Sequence, residues 1–431
     1  MKNGWSSRRL DEVCRIKPPK SEARDKISAN GLVSFLPMED MGIDQEYVRP
    51  TQTKPLSSVM GSYTYFADGD VLLAKITPCF ENGKLGIAQG LTNGIGFGSS
   101  EYIVFRPDKT LSKEWLYYYL SRETFRVEGA ERMSGAVGHK RVSMEFIESY
   151  PIPVPLLPEQ QRIVGILDET FEGIATAKAN AEKNLHNARA LFESHLQSVF
   201  TQRGEGWVET TLEKVLAVQP QNGWSPPAAN HSDSGTPVLT LSSVTGFRFR
   251  PAKLKFTSAS TDARRNYWVK NGDFLITRSN TPELVGHVAI VSGINEPTIY
   301  PDLIMRMNPA PDRMMTEFLY YQMRSPLLRK EITGRAQGAN PTMKKISNGA
   351  VKTLPIAVPP ITTQRAIVKT LNGLAEEAQR LESIYQQKLA ALDVLKKSLL
   401  HQAFTGQLTR DNGELIRDNA HNAELTMDNG Q

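Results

Sequence analysis

Cysteine is the scarcest reactive side chain in these 431 residues, with only Cys14 and Cys79 present. Two thiols make no disulfide framework, and a reducing cytoplasm is the expectation. No apolar run reaches the roughly 18 residues of a membrane span, and residues 1–10 are polar where a secretory signal would be apolar. Catalytic signatures are missing too. No Asp-x-Lys or Glu-x-Lys occurs, the pattern with which the commonest nuclease cores hold Mg2+ and activate water. There is no Walker-type phosphate loop, which excludes a motor ATPase. The seven histidines show no metal-ligand spacing. Lys17-Pro18-Pro19 and Ser225-Pro226-Pro227 lack the amide or acidic residue and the aromatic that flank Pro-Pro in an adenine methyltransferase loop. Gly94-Ile95-Gly96-Phe97-Gly98 opens no βα unit and reads as a turn between strands, not a dinucleotide loop. The chain is expected to have no catalytic residues, no metal and no cofactor of its own.

What remains is a globular composition, 40% hydrophobic and 23% charged, at a length that suits two or three domains. The net charge of 51 − 46 = +5 is unevenly placed. Residues 411–431 hold one basic and five acidic side chains, so residues 1–410 carry 50 − 41 = +9. A basic body of this size suits a polyanionic partner.

The chain is written twice, with a period of about 204 residues, which marks two copies of a whole module. Gly4-Trp5, Leu10 and Val13 return as Gly206-Trp207, Leu212 and Val215. Gly69-Asp70-Val71-Leu72-Leu73-Ala74-Lys75 returns as Gly272-Asp273-Phe274-Leu275-Ile276-Thr277-Arg278. Trp115-Leu116-Tyr117-Tyr118 returns as Phe318-Leu319-Tyr320-Tyr321, and Pro151-Ile152-Pro153-Val154-Pro155 with Gln160 as Pro355-Ile356-Ala357-Val358-Pro359 with Gln364.

Each copy opens with a head of short apolar runs punctuated by Gly, Pro, Asn and Ser, an irregular α/β (α+β) domain. Ser112 and Thr316 stand as N-caps for the short aromatic helices, whose tyrosines read as core. The proline run then forms an extended connector. Behind it a heptad fits, with Val164, Phe171, Lys178, Leu185, Phe192 and Val199 at a, and Leu167, Ile174, Ala181, Ala188 and His195 at d. The second copy carries the same frame, with Glu382 standing where the first has Lys178. Such periodicity predicts two long helices forming an antiparallel coiled coil with a pseudo-two-fold internal repeat. Lys178 and Glu382 are expected to meet at the crossing and fix its register. The boundaries are a first head at 1–157, a central helical spacer at 158–205, a second head at 206–361, a distal spacer at 362–410 and an acidic disordered tail at 411–431.

At these residues the sequence resembles the specificity subunits of Type I restriction–modification enzymes, over nearly all of residues 1–410. The closest local likenesses are Pro155-Leu156-Leu157-Pro158-Glu159-Gln160-Gln161-Arg162-Ile163-Val164 and Lys397-Ser398-Leu399-Leu400-His401-Gln402-Ala403-Phe404-Thr405-Gly406-Gln407-Leu408. The resemblance implies two target recognition domains, each reading one half of a gapped, asymmetric site in double-stranded DNA. It implies helices that set the spacing and dock two methyltransferase subunits, with restriction (translocase) subunits as a further partner. S-adenosylmethionine, ATP and Mg2+ would then sit on the partner subunits, and no membrane is involved.

Base edges are read by Arg, Lys, Asn, Gln, Ser and Thr, with further basic groups on phosphates. In the first head this selects Lys75, Thr77, Lys84, His139, Lys140 and Arg141. In the second it selects Arg278, Ser279, Asn280, Asn340, Thr342, Lys344 and Lys345. Two other readings stay open on sequence alone. One is a single-chain restriction or modification enzyme, against which the missing motifs count. The other is a coiled-coil scaffold without nucleic acid, which a salt-sensitive gel shift would separate.

Overall fold

A computed structural model describes residues 4–136, 138–338 and 342–408. The acidic tail and Asn340 therefore lie outside the described residues. Residues up to Glu182 and from Gln387 onward form one compact unit; Lys183–Gln386 form the other. Each unit holds one head and half of each long helix, Leu157–Thr201 and Ile361–Thr405. Among the described residues no helix is long and apolar enough to cross a membrane.

The two heads repeat one topology. In the first, a sheet runs in the order Cys14–Ile16, Tyr102–Pro107, Val71–Ala74, Leu85–Ala88, Tyr47–Val48. Its counterpart in the second runs Leu216–Asn222, Ile304–Pro309, Phe274–Thr277, Val288–Ile290. The central strands Val71–Ala74 and Phe274–Thr277 are buried along their whole length, which is why they read as unbroken apolar runs. A second sheet in each head contains a parallel pair, Leu32–Leu36 beside Ile95–Gly98 and Thr236–Leu239 beside Thr298–Ile299. The repeated Gly-Asp pairs are structural. Arg106 grips the buried Asp70 through two bonds of 2.7 Å, and Asn308 donates to Asp273 at 2.7 Å.

The proline runs are strands, not free connectors. Pro151–Val154 pairs antiparallel with Ser6–Arg9, and Pro355–Val358 with Val208–Thr211. Proline tolerates such edges because one face needs no N–H donor. Ser112 caps its helix by accepting from Trp115 N at 3.2 Å. Thr316 does not cap; it is the first helical residue, and Met315 occupies the cap position without a side-chain bond. The repeated glutamines act as buried staples. Gln160 Oε1 accepts from Ser112 N at 2.8 Å while its Nε2 donates to the Thr110 and Pro155 carbonyls. Gln364 repeats this with Met315 N and the Arg313 and Pro359 carbonyls.

The long helices run antiparallel within each unit. In the first, Ile163, Val164 and Leu167 share a core with Leu399, Leu400, Ala403 and Phe404. In the second, Phe192, Leu196 and Phe200 pack with Val368 and Leu371. The expected Lys178–Glu382 contact gives way to two others: Lys178 pairs with Asp393, and Arg189 with Glu382 at 3.3 Å. The reason is register. Facing residues sum to 571 (178 + 393 and 189 + 382), so Glu382 is eleven residues along its helix from the position opposite Lys178. Eleven residues rise about 16 Å.

Candidate nucleic-acid interface

In each head one backbone device presents the basic residues. In the first, the chain leaves Val71–Ala74 at Lys75, whose N–H donates to the Glu101 carbonyl and whose carbonyl accepts from Val142 N. The hairpin of Met133–Ser134 and Arg141–Val142 lies alongside, bridged through Ile76 to Arg141. In the second, Arg278 N donates to the Leu303 carbonyl and its carbonyl accepts from Ile346 N. There Ser279–Asn280 pairs with Lys344–Lys345. Lys75 with Arg141, and Arg278 with Lys344 and Lys345, are thus brought together by non-local pairing.

The side chains differ. Arg141 forms a fork on Glu101 with bonds of 2.9 and 2.7 Å. Lys75 lies 3.9 Å from the same carboxylate and donates to the Ser100 carbonyl at 3.0 Å. The Arg141 guanidinium holds the Glu101 carboxyl below the usual carboxylate range. Burial pushes the Lys75 ammonium down against the pull of Glu101, and the charges of Lys17 and Arg141 lower it further. In the second head Leu303 occupies the place of Glu101 in this hydrogen-bond pattern. Among the described residues no carboxylate pairs with Arg278; one Nη donates to the Asp302 carbonyl at 3.4 Å and Nε is buried without a partner.

The other selected residues divide. His139 and Lys140 are exposed on the hairpin loop. Thr77 Oγ1 donates to Glu81 at 2.9 Å, and Lys84 to the Met38 carbonyl at 2.7 Å. Ser279 is only 3% exposed, which sets its hydroxyl behind the surface. Asn280 spends its amide on Thr245 at 3.2 Å. Lys344 donates to the Gly338 carbonyl at 2.9 Å, while Lys345 and Thr342 are exposed.

Sequence reasoning passed over three features. Glu101 and Lys17 belong to the first cluster through sheet pairing alone. In the second head, Arg248, Arg250, Lys253 and Lys255 alternate with Phe247 and Phe249, and Arg264-Arg265 precede Tyr267-Trp268; that aromatic–basic interleaving was the available signal. It makes the heads electrically unequal: residues 1–157 carry 20 − 19 = +1, and residues 206–361 carry 18 − 11 = +7. Among the described residues no group of three or more His, Cys, Asp or Glu is placed to hold a metal.

Comparison with known proteins agrees with this duplicated design. The family model described as Type I restriction modification DNA specificity domain matches twice, over residues 2–185 and 204–388. The Type I restriction enzyme EcoEI specificity subunit of Escherichia coli is 25% identical over 499 residues, spanning 92% of this chain and 83% of that protein. Two solved structures share the fold. One comes from a study of complex assembly and conformational transition of the type I R-M system, with TM-score 0.75 and 20% identity over 95% of this chain and 99% of that one. The other is the HsdS subunit from Thermoanaerobacter tengcongensis, with TM-score 0.61 and 19% identity over 95% and 98%. With both of its repeats matched, the chain belongs to the family of Type I restriction–modification DNA specificity domains and is one of its non-catalytic specificity subunits.

Proposed function

We propose that each head reads one half of a gapped, asymmetric site in duplex DNA. The observation that carries this is the duplicated device itself: one backbone arrangement delivers Lys75 with Arg141 in one head and Arg278 with Lys344 and Lys345 in the other. Equal scaffolds with unequal side chains read unequal sequences. The half-sites are spaced near one helical turn, centre to centre. His139, Lys140, Thr342 and Lys345 are exposed enough to meet phosphates or base edges. The long helices set the spacing and, being duplicated, offer equivalent docking faces to two methyltransferase subunits, with restriction subunits joining where the system has them. S-adenosylmethionine, ATP and Mg2+ act on those partners.

Arg278 is the residue to test, because no carboxylate among the described residues neutralises its charge. Its guanidinium suits guanine O6 and N7. Arg278→Ala in the full complex is expected to cost about 1–3 kcal/mol and relax discrimination in one half-site only. Binding to duplexes mutated one half at a time measures this. Equal weakening for all sequences assigns Arg278 to a phosphate, and lost discrimination in both halves overturns separate reading.

A further inference from the structure

Beside Arg278 the second head carries a recess that base-edge reading does not use. Trp224 and Tyr267 line it with Ser260, Thr261, Asp262 and Arg265, around an open volume of about 480 Å³. The two rings are 5.2 Å apart and inclined by 30°; both are half-buried, and Tyr267 also meets the Trp268 ring at 5.8 Å. Both are held in place. Trp224 N donates to the Tyr300 carbonyl at 2.9 Å, and Tyr300 N to the Tyr267 carbonyl at 3.0 Å. The Tyr267 hydroxyl accepts from Asp262 N at 2.7 Å. Arg264 and Arg265 stand at the rim with side chains 92% and 72% exposed. The recess adjoins Arg278: Ser225, next to Trp224, bonds the Asp302 carboxylate, and the Asp302 carbonyl accepts from Arg278.

We propose that this recess is a stacking site for a single nucleobase displaced from the duplex, a proposal that rests on the DNA-reading function above. Aromatic rings beside guanidinium groups are the combination that binds unstacked bases, because every base offers a π face and its phosphate meets the cations. Thr261 and Ser260 supply hydroxyls for the base edge, and the Asp262 carboxylate, 3.4 Å from Arg264 and 3.8 Å from Arg265, holds the two guanidiniums at the rim. A displaced base is available because methyltransferases extrude their target nucleotide, which leaves its partner unpaired. Among the described residues the first head has no matching aromatic pair. Its strand pairing of Tyr65 with Phe97 matches that of Trp268 with Ile299, which puts Thr64 where the second head has Tyr267. Its turn after Cys14–Ile16 reads Lys17-Pro18-Pro19-Lys20, without an aromatic.

The test uses the full chain with its methyltransferase subunits and duplexes in which each base of the target site is removed in turn. In the wild type, one abasic position in or beside the second half-site is expected to weaken binding. Trp224→Ala is expected to weaken binding to the intact site by roughly five- to a hundred-fold, the range of base–aromatic stacking losses, and to make that abasic position neutral. Trp224→Phe keeps a ring and restores most of the affinity, which separates stacking from a folding defect. Arg265→Ala lowers the salt slope by about 0.9; Trp224→Ala leaves it unchanged. If Trp224→Ala and Tyr267→Ala bind like the wild type, or the abasic profile is the same with and without Trp224, the stacking site is refuted while half-site reading stands. A wild-type complex that cannot tell its site from a scrambled duplex overturns both.

Discussion

At the scale of single residues, one carboxylate sets the two basic clusters apart. Glu101 engages both Lys75 and Arg141, and the second head has Leu303 in its place. Glu101→Gln adds one net positive charge to the first cluster and releases the Arg141 fork. Binding to non-specific DNA is expected to tighten with a salt slope steeper by about 0.9, while discrimination in one half-site falls. An unchanged slope would show that the cluster stays clear of the phosphates. Glu46 gives a separate handle. Burial, then the charge of Asp168, pushes its carboxyl up to about 7, and its Oε1 is buried without a hydrogen-bond partner. Its folded pKa is above the unfolded value of about 4.3, so the folded chain binds more protons between those values. Stability therefore falls as pH rises from about 4.3 to about 7. Glu46→Gln removes this loss and is expected to stabilise the first unit by about 1–2 kcal/mol at pH 8, after allowing for solvent screening, with little gain at pH 4. Thermal unfolding at the two pH values measures the difference; the same gain at both would rule out titration as its source.

At the scale of elements, the long helices carry complementary charges related by the repeat. Lys178 faces Asp393, and their counterparts 204 residues on and back, Glu382 and Arg189, face each other with the signs reversed. Lys178→Glu sets like charges together and is expected to cost about 0.2–1 kcal/mol, seen as a lowered unfolding midpoint. Asp393→Lys in the same chain should recover it, and a double variant no better than the single one defeats the pairing. The helices were legible because a heptad is a local, periodic signal. Their register was not: Lys178 and Glu382 lie near their helix midpoints and sum to 560, whereas the pairs that form sum to 571, an offset that no heptad encodes. The same contrast holds for the heads. Val71–Ala74 and Phe274–Thr277 announced themselves as apolar runs, and Lys75 and Arg278 followed as strand-end residues. Glu101, Lys17 and the Trp224–Tyr267 recess come from segments far apart in sequence, joined by sheet pairing that no local pattern encodes. Ser279 and Asn280 had suitable chemistry for base reading, but one is buried and the other bonded to Thr245.

At the scale of the whole molecule, the duplication is topological but not electrostatic, since the heads differ by six charges (+7 against +1). If the heads read DNA as proposed, long-range attraction is expected to be stronger at the second head. The division of the chain also bears on its synthesis. The second unit is one continuous stretch, Lys183–Gln386, whereas the first needs residues from Gln387 onward. Until those emerge, Trp115 lacks Phe404, whose ring centroid lies 4.5 Å from its own, and Ile163 and Leu167 lack Leu399 and Ala403. The head made first is thus expected to keep an uncovered apolar face until those residues emerge, and the head made second to finish folding before it. Protease digestion of nascent chains should find the second head protected first, with the first following only after the last helical turns clear the exit tunnel; protection in order of synthesis would contradict this. Birth order and folding order would then run in opposite directions along this polypeptide.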